Sequence, residues 1–415
     1  MASAVVGIDT RQTMAYQAFT FLLSLVIISI IFGVFFRARF TASRILPRFG
    51  TVGEPLSYRV VIKNITGKTQ RGLFLLENFE DPRPSFEEFI EGNEPGEKNR
   101  NLLDRAMGYH KWLWLISRKQ VKIIKKQPLS VLLPNAEEEV QIEIVPSQRG
   151  HLKLTGLTVV RADPFGLFNS LISIPLQQSV LVLPKRYSLP PVHLPGSRRY
   201  HSGGVALASS VGDSEEFISM RDYRPGDPLR RIHWRSWAKT GKPIVKEYQD
   251  EFFVRHALVV DTFSKRGHSE VFEEAISVAA SFACTIGTLE SLLDLMFVGP
   301  RAYCFTFGRG LSHTDKTLEI LASVRPCLDK SFNILPPMVL ERASMLSSCI
   351  CIFISWDEKR KSFVDQLKAI GVPILVLIIS ETETSYGLDT ELMKDISEHF
   401  YILEPGRIQK GLAGI

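Results

Sequence analysis

The hydrophobic and polar positions of this chain fall into three successive patterns. Residues 14–36 form a nearly continuous apolar run without a charged side chain. Residues 50–185 contain short alternating runs, and from Val254 onward continuous apolar runs alternate with amphipathic helical periods. These patterns predict, in order, a membrane-spanning helix, a β-rich domain and an α/β domain.

The apolar run at residues 14–36 is long enough to cross about 30 Å of hydrocarbon as a helix, and it leaves residues 1–13 as an N-terminal tail. A cleaved signal peptide is the alternative, but the run exceeds the usual apolar core of about 7–15 residues and no small-residue cleavage site follows it. Asp9 and Arg11 precede the run, and four arginines follow it: Arg37, Arg39, Arg44 and Arg48. The positive-inside rule therefore predicts a single span with the C-terminal side in the cytoplasm.

Residues 50–185 predict a sandwich-like β domain. Its strand candidates are short and are separated by turn residues such as those of Asn64–Gly67, a pattern typical of a sandwich. The predicted strands are Leu56–Lys63, Leu73–Leu76, Glu138–Val145, Leu152–Arg161, Phe168–Ile174 and Ser179–Leu183.

Residues 84–128 interrupt the alternating pattern as an insertion. An acidic part gives way to a basic part that contains Trp112 and Trp114. Tryptophan beside lysine and arginine suits a membrane surface, where the ring sits at headgroup depth. The alternative is a long hairpin with one buried tryptophan face and one solvated lysine face, and we favour it because such alternation is ordinary in strands.

Residues 251–405 predict an α/β domain with a doubly wound, mostly parallel sheet. Its apolar runs are continuous, so each strand is expected to be covered by helices on both faces. The predicted strands are Ala257–Val260, Leu293–Val298, Tyr303–Phe307, Cys349–Ser355, Ile374–Ile379 and Phe400–Leu403. The predicted helical segments are Phe272–Phe282, Thr314–Ser323 and Lys361–Ile370.

Composition adds two constraints. The net charge of +6 in 415 residues is too small to indicate nucleic acid as a partner. All five cysteines lie in the last third of the chain, in an odd count without disulfide spacing: Cys284, Cys304, Cys327, Cys349 and Cys351. This usage favours a reducing compartment, in agreement with a cytoplasmic location of the soluble domains.

A densely charged segment at residues 213–250 joins the two soluble domains, preceded by a Pro- and Gly-rich linker at residues 186–212. Its composition predicts a short acidic helix, a tight Pro-Gly-Asp-Pro turn and a basic helix from Pro228 to about Thr240, with Gly241 as its stop. Arg231, Arg235 and Lys239 recur every four residues, which would form a basic stripe on that helix.

This charged segment allows two interpretations. It is either an internal salt-bridge network or a docking surface for an acidic partner, since arginine pairs well with carboxylates. The candidate partner-binding residues are Glu216, Arg221, Asp222, Asp227, Arg231, Trp234, Arg235 and Lys239. Catalysis is the weakest alternative, because His233 has no Ser, Cys or metal-ligand partner at a recognisable spacing.

The charged segment resembles the bacterial family called domain of unknown function 58. The matching residues are Glu216-Phe217, Arg221-Asp222-Tyr223, Pro225-Gly226-Asp227-Pro228, Arg231-Ile232, Trp234-Arg235, Ala238-Lys239 and Glu247. A second matching motif is Arg161 with Asp163-Pro164-Phe165-Gly166-Leu167-Phe168, and the strand that ends at Asp261 resembles the start of a von Willebrand factor A-type domain. The resemblance implies a bacterial inner-membrane protein that works with a MoxR-type AAA+ ATPase or with the substrate protein of that ATPase.

The resemblance also implies a Mg²⁺ site, from which this chain departs. A-type domains bind Mg²⁺ through Asp-x-Ser-x-Ser and oxygen ligands from other loops, whereas this chain has Asp261-Thr262-Phe263-Ser264-Lys265. Phenylalanine supplies no oxygen and a lysine ammonium repels a dication. Asp261, Ser264 and Asp357 remain as candidate ligands of a degenerate site. Because two of the usual ligands are lost, we expect no cofactor, and Mg²⁺ is the alternative.

These observations predict a non-enzymatic, membrane-anchored adaptor or scaffold that acts with the ATPase in protein assembly, maturation or envelope and stress functions. The alternatives are a metal-dependent hydrolase and a lipid-sensing membrane protein. The hydrolase would need a phosphate-binding loop, a His-Glu-x-x-His zinc motif or a Gly-x-Ser-x-Gly elbow, and the sequence contains none of the three.

Overall fold

The computed structural model describes residues 13–92, 101, 105, 107–119, 121–123, 127–190, 216–227, 229, 232–249, 254–264, 269–287, 291–308, 311–380 and 399–415. Residues 191–212 of the predicted linker, most of the N-terminal tail, Arg231 and Lys265 lie outside these ranges. The chain divides into two compact units. The first unit comprises residues 1–187, 264–280 and 316–328, and the second comprises residues 188–263, 281–315 and 329–415.

The described strands are β1 (Phe40–Ile45), β2 (Phe49–Thr51), β3 (Leu56–Asn64), β4 (Leu73–Phe79), β5 (Lys122–Ile123), β6 (Gln127–Leu129), β7 (Glu137–Val145), β8 (Gly150–Ala162), β9 (Asn169–Leu183), β10 (Glu216–Asp222), β11 (Ile244–Gln249), β12 (Val254–Val260), β13 (Ser291–Val298), β14 (Ala302–Phe307), β15 (Ser348–Phe353), β16 (Ile374–Ile379) and β17 (Phe400–Leu403). The described α-helices are α1 (Thr13–Val34), α2 (Phe86–Glu91), α3 (Tyr109–Lys119), α4 (Trp234–Thr240), α5 (Glu270–Gly287), α6 (Leu311–Ser323), α7 (Leu335–Leu340), α8 (Glu358–Ala369) and α9 (Ile408–Leu412).

The predicted N-terminal helix is confirmed as α1. Its segment Tyr16–Val34 is long and apolar enough to cross a membrane, and almost all of its side chains are exposed. An exposed apolar helix of this length near the N-terminus fits a membrane span and a signal sequence alike.

Two sheets share one hydrophobic core in the first unit. Their strand orders are β1-β3-β7-β5 and β2-β9-β8-β4-β6. Inward-facing positions of β3 alternate with outward-facing ones, and Val60 and Ile62 from the first sheet share a core cluster with Leu75 and Leu157 from the second. This arrangement is sandwich-like, as the alternating pattern predicted.

The predicted strands Phe168–Ile174 and Ser179–Leu183 are one strand, β9, which pairs with β8 along nearly its whole length. The pairing register shifts between Leu154 and Gly156, a β-bulge that accommodates the extra residues. The predicted break was wrong because Pro175 and the polar residues after it sit at this irregularity without ending the ladder.

The predicted hairpin at residues 84–128 is wrong, because the described part of the insertion contains the helices α2 and α3. Ser85 caps α2 and forms a reciprocal capping box with Glu88. In α3, Leu115 and Ile116 are buried while Trp112 and Leu113 are exposed. Buried positions at helical spacing can resemble strand alternation over a short window, and this ambiguity misled the sequence-based prediction.

A six-stranded sheet forms the core of the second unit. Its strand order is β14-β13-β12-β15-β16-β17, and all neighbours are parallel except the edge pair β13–β14. When the six strands are numbered 1 to 6 along the chain from β12 to β17, their order in the sheet is 3-2-1-4-5-6, the order of doubly wound sheets. The predicted mostly parallel sheet is confirmed, and the residues of β15 and β16 are buried throughout.

Candidate functional site

Asp261 occupies the position where a doubly wound sheet usually binds ligands. It directly follows β12, which pairs with β13 and β15 on its two sides, and its amide still donates to the carbonyl of Ile352. The order of the strands reverses at β12, so Asp261 lies at the carboxyl edge beside the topological switch point. Its side chain is fully buried.

Both carboxylate oxygens of Asp261 accept hydrogen bonds. Oδ1 accepts from the amide of Phe263 at 3.0 Å. Oδ2 accepts from Nε of Arg360 at 2.8 Å and from the amide of Ile354 at 3.3 Å. A buried carboxylate requires such donors, because an isolated charge in the interior is very costly.

Arg360 lies between two carboxylates. Asp357 caps the N-terminus of α8 by accepting from the Arg360 amide at 3.0 Å, and its Oδ2 accepts from Arg360 Nη1 at 2.7 Å. The guanidinium carbon also lies 4.6 Å from the ring centroid of Phe332, a cation–π contact. The arginine is therefore held by charge, by hydrogen bonds and by an aromatic face.

Burial and charge act in opposite directions on this pair. Burial raises the pKa of the Asp261 carboxyl, and the Arg360 guanidinium opposes that rise. Burial alone would lower the pKa of Arg360, but the Asp261 and Asp357 carboxylates outweigh it and raise that pKa. The net effect is a raised pKa for both groups, so Arg360 stays charged and offsets part of the cost of burying the Asp261 carboxyl.

The residues at this edge do not fit the Mg²⁺ that the family resemblance implies. The oxygens of Asp261 already face a guanidinium and two amides, and the Thr262 hydroxyl donates to the carbonyl of Val298. Asp357 caps a helix and binds Arg360. Across the described ranges, no group of three or more His, Cys, Asp or Glu residues could hold a metal ion. The positively charged guanidinium of Arg360, and not a metal ion, contacts the Asp261 carboxylate.

Sequence reasoning did not identify Arg360. Its signal is weak, because a basic residue three positions after a helix-capping aspartate is common on exposed helices. Phe263 gave an indirect signal: a phenylalanine in place of a metal ligand leaves the buried Asp261 in need of another cation.

A second candidate site is the hairpin module, which we define as residues 216–249. Strands β10 and β11 pair antiparallel in it, and α4 lies in the connection between them. Ile232 bridges to Val245, and both side chains are buried. Gly241 ends α4 with a φ of 71° and donates to the Trp237 carbonyl, so the predicted stop is confirmed.

Two predicted features of this module are wrong. The acidic stretch that contains Glu216 forms strand β10, because it pairs with β11. The predicted helix does not run unbroken from Pro228: Ile232 bridges to Val245 and the amide of His233 donates to the Ile244 carbonyl, so the helix that carries Arg235 and Lys239 begins at Trp234. Asp227 is not the cap of that helix.

Arg221 and Asp227 form a bidentate ion pair that closes the Pro-Gly turn. The two nitrogen–oxygen distances are 2.7 and 2.8 Å, and Asp227 also accepts from the Arg224 amide at 2.8 Å. Hydrogen bonds from Arg221 and then from the Arg224 amide lower the pKa of Asp227 to about 2. These two candidate residues therefore face each other, as the salt-bridge interpretation expects.

Four of the other candidates lie on the surface of the module. Trp234 is 63% exposed and stacks on Trp237 with the ring centroids 5.3 Å apart. Arg235, Lys239 and Asp222 are exposed as well. Glu216 is placed opposite Gln249 in the hairpin, and Arg231 lies outside the described residues.

His233 has a partner that the sequence did not suggest. Its Nδ1 lies 2.7 Å from the Ser236 hydroxyl, which also contacts the sulfur of Met220 at 3.5 Å. Ser236 lies three positions further along, in the first turn of α4, so the contact ties that turn together. A histidine–serine contact becomes a nucleophile only with a third group and an oxyanion site, so this pair alone supports a structural role.

Trp112 and Trp114 lie on α3. Trp112 is partly exposed and stacks on Tyr109 with the ring centroids 6.5 Å apart. A shallow groove of about 460 Å³ borders this stack, and it is lined by Pro84, Ser85, Phe86, Phe89, Met107, Gly108, Tyr109 and Trp112.

Comparison with known proteins shows similarity to one family over part of the chain. The model of the family described as "Protein of unknown function DUF58" matches residues 219–331, which include most of the hairpin module and Asp261. The uncharacterized protein YeaD of Bacillus subtilis (strain 168) is 25% identical over 184 residues, which is 43% of this chain and 44% of that protein. The match therefore spans less than half of the length of that relative.

Similarity to solved structures covers about a third of the chain. The CARDB domain of the PF1109 protein from Pyrococcus furiosus is 15% identical, with a TM-score of 0.18, over 35% of this chain and 93% of that domain. A PapD-like domain of human CEP192 is 10% identical, with a TM-score of 0.19, over 35% of this chain and 84% of that domain. TM-scores this low assign neither a fold nor a function.

Proposed function

Because residues 219–331 match the DUF58 family model, we propose that this chain is a non-enzymatic adaptor anchored in the bacterial plasma membrane by α1, with its other domains in the cytoplasm. In this proposal its partner is a MoxR-type AAA+ ATPase or the protein that this ATPase remodels. The length and apolar character of α1 support the anchor, and Arg37 and Arg39 directly after it support the orientation.

The observation that carries the adaptor function is the exposed tryptophan stack of the hairpin module. Trp234 lies over Trp237, and Arg235 and Lys239 are exposed on the same short helix. Tryptophan and arginine are the residues in which binding energy most often concentrates at protein interfaces. The Arg221–Asp227 pair holds the turn before the helix, so the surface is pre-formed and loses less conformational entropy on binding.

We further propose that the second unit is a von Willebrand factor A-like domain that recognises its partner without a metal ion. The doubly wound order of the six strands and the position of Asp261 after β12 support this assignment. The Arg360 guanidinium opposite Asp261 supports the metal-independent part. Binding would then depend on the surface of the domain and not on a shared divalent cation.

The test is the affinity of the full chain, in nanodiscs, for the MoxR-type ATPase of the same organism. The variant Trp234→Ala with Arg235→Glu should bind at least tenfold more weakly, about 1.4 kcal/mol or more. Lys410→Glu is the matched control, since Lys410 is an exposed cation on α9. Equal affinity of all three proteins would refute this docking surface. EDTA should leave the wild-type affinity unchanged.

A further inference from the structure

A turn between β8 and β9 exposes large apolar side chains. In the membrane-facing turn, which we define as residues 163–168, Phe165, Leu167 and Phe168 are each about half exposed, at 46–50%. Leu171, just beyond the turn on β9, is 63% exposed. Single exposed apolar residues are ordinary on soluble proteins, but a contiguous group marks a contact surface.

The same turn contacts one face of α1. The Ser29 hydroxyl donates to the Asp163 carboxylate, and the Ser170 hydroxyl donates to the Gly33 carbonyl at 3.4 Å. The Arg161 guanidinium lies 5.1 Å from the ring centroid of Phe36. Ser29 and Gly33 lie four positions apart, on one face of α1, and Phe36 follows just beyond the end of the helix.

These contacts fix the depth of the turn relative to the helix. Ser29 and Gly33 lie within the last turn and a half of α1, so both contacts fall within about 8 Å of its C-terminal end. Strand β1 begins at Phe40, shortly after the helix ends at Val34. When α1 spans the bilayer, the turn lies about 5–10 Å into the headgroup–acyl boundary, the depth of interfacial anchors.

The backbone of the turn is suited to that environment, where unpaired amides are costly. The amides of Phe165 and Phe168 donate to the Asp163 carboxylate at 3.2 and 2.9 Å. The amide of Gly166 donates to the Asp163 carbonyl, and the amide of Asp163 donates to the Phe168 carbonyl, each at 3.1 Å. Gly166 has a φ of 69°, which only glycine adopts readily. The polar groups therefore point inward and the apolar side chains outward.

We propose that the membrane-facing turn inserts Phe165, Leu167 and Phe168 into the cytoplasmic leaflet beside α1, as a second membrane contact that fixes the β domain against the bilayer. This inference rests on the proposed function, because it requires α1 to span the membrane. Arg37 and Arg39 directly follow α1 and Arg161 packs on Phe36 beside the turn, so the natural occupant of the site is a lipid leaflet with anionic headgroups.

The strand register separates this turn from the exposed apolar residues of the insertion at residues 84–128. Leu73 of β4 pairs with Arg161, at the turn end of β8, whereas Phe79 pairs with Leu154. The insertion with α2 and α3 leaves β4 after Phe79, about 20 Å along the strand from the turn. Trp112 and its neighbours therefore lie at the opposite end of the sheet, away from the end that contacts α1.

Photo-crosslinking of the full chain tests the proposal. The protein is placed in nanodiscs of phosphatidylcholine and phosphatidylglycerol, with p-benzoylphenylalanine at position 21, 165 or 86, each of which is an exposed phenylalanine in the native chain. Position 21 reports on α1, position 165 on the turn and position 86 on the opposite end of the sheet. After irradiation, mass spectrometry measures lipid adducts at each position.

The expected result is lipid adducts at positions 21 and 165, in severalfold excess over position 86. Adducts at position 21 without an excess at 165 would overturn the inserted turn while leaving the anchor intact. Adducts at none of the three positions would overturn the anchor, and the turn with it. A crosslink from position 165 to a second protein chain, in place of lipid, would assign the apolar turn to a protein contact and likewise refute insertion.

Discussion

The Arg360 side chain donates from Nε to the Asp261 carboxylate across 2.8 Å, and both side chains are at least 95% buried. In the metal-binding arrangement that the family resemblance implies, a divalent cation would face this aspartate. Here the protein supplies the positive charge from its own helix α8. A buried charge pair of this kind makes each partner dependent on the other.

Removing Arg360 should therefore destabilise the second unit strongly. Arg360→Met keeps the aliphatic stem but leaves the Asp261 charge without its cation, and we expect a loss of about 3–5 kcal/mol in the free energy of unfolding. Chemical denaturation of the full chain in detergent measures this loss. Adding Asp261→Asn to the same protein should recover part of it, because the uncompensated charge is then gone.

Arg407→Met is the control for that experiment. Arg407 is 76% exposed and its nearest carboxylate, on Glu404, lies 3.7 Å away. Exposed pairs contribute only about 0–1 kcal/mol. Similar losses for the two arginine variants would show that burial of the Asp261–Arg360 pair has no special importance.

Mg²⁺ should not stabilise this protein. A ligand raises the unfolding midpoint only when it binds the native state more tightly than the unfolded state, and the Asp261 oxygens are already bonded to Arg360 and to two amides. We expect equal midpoints in millimolar Mg²⁺ and in EDTA. A saturable rise with Mg²⁺ that disappears in Asp261→Asn would contradict this expectation.

The sequence predicted the elements whose pattern is strong and continuous. The apolar run of α1 and the buried strands β15 and β16 each have one structural solution, because burying such residues dominates their free energy. The prediction for the insertion at residues 84–128 failed for the opposite reason. Over the few residues around Trp112, helical and strand periods place apolar side chains at nearly the same positions.

The candidate sites were predictable only where the chemistry is local. Arg221 and Asp227 are six positions apart across a Pro-Gly turn, so their contact follows from short-range geometry. Arg360 meets Asp261 only because β12 and β15 are neighbours in the sheet, a long-range fact that no spacing rule contains. The contact of Ser29 with Asp163 is of the same long-range kind.

Acidification should weaken the second unit through His256. Burial lowers the pKa of His256 to about 4 from its usual 6.5, and its Nδ1 lies 2.7 Å from the Ser348 hydroxyl. As the pH falls below 6.5 the unfolded chain takes up a proton that the folded chain does not, so stability is lost between pH 6.5 and about 4. From pH 7 to pH 5 the wild type should lose about 2 kcal/mol more than His256→Gln, as measured by hydrogen exchange of the β12 and β15 amides. Parallel losses in both proteins would assign the acid sensitivity to other groups.

Gly156→Ala should destabilise the β-rich region. A methyl group at this position would lie 2.5 Å from the Ile174 carbonyl oxygen, a backbone atom that cannot move away without disturbing the β8–β9 pairing. Overpacking of this kind costs about 1–3 kcal/mol. Gly67→Ala is the matched control, since a methyl group there has no neighbour within 4 Å. An unfolding midpoint for Gly156→Ala that equals the control would mean that the bulge tolerates a side chain.

Asp227→Asn should loosen the hairpin module, because the Arg221 guanidinium and the Arg224 amide both donate to the Asp227 carboxylate. Hydrogen exchange should become faster at the Arg224 amide and across β10 and β11. Asp222→Asn is the control, since Asp222 is the neighbouring exposed carboxylate.

The pKa of Asp227 is lowered to about 2 by Arg221 and then by Arg224. The contribution of the ion pair to the stability of the module is therefore present above the unfolded pKa of about 4. This contribution is lost as the pH falls toward 2. The difference in hydrogen-exchange protection between wild type and Asp227→Asn should therefore be constant from pH 7 to pH 4 and shrink below pH 4. A difference that vanished already at pH 5 would show that the ion pair does not hold the turn.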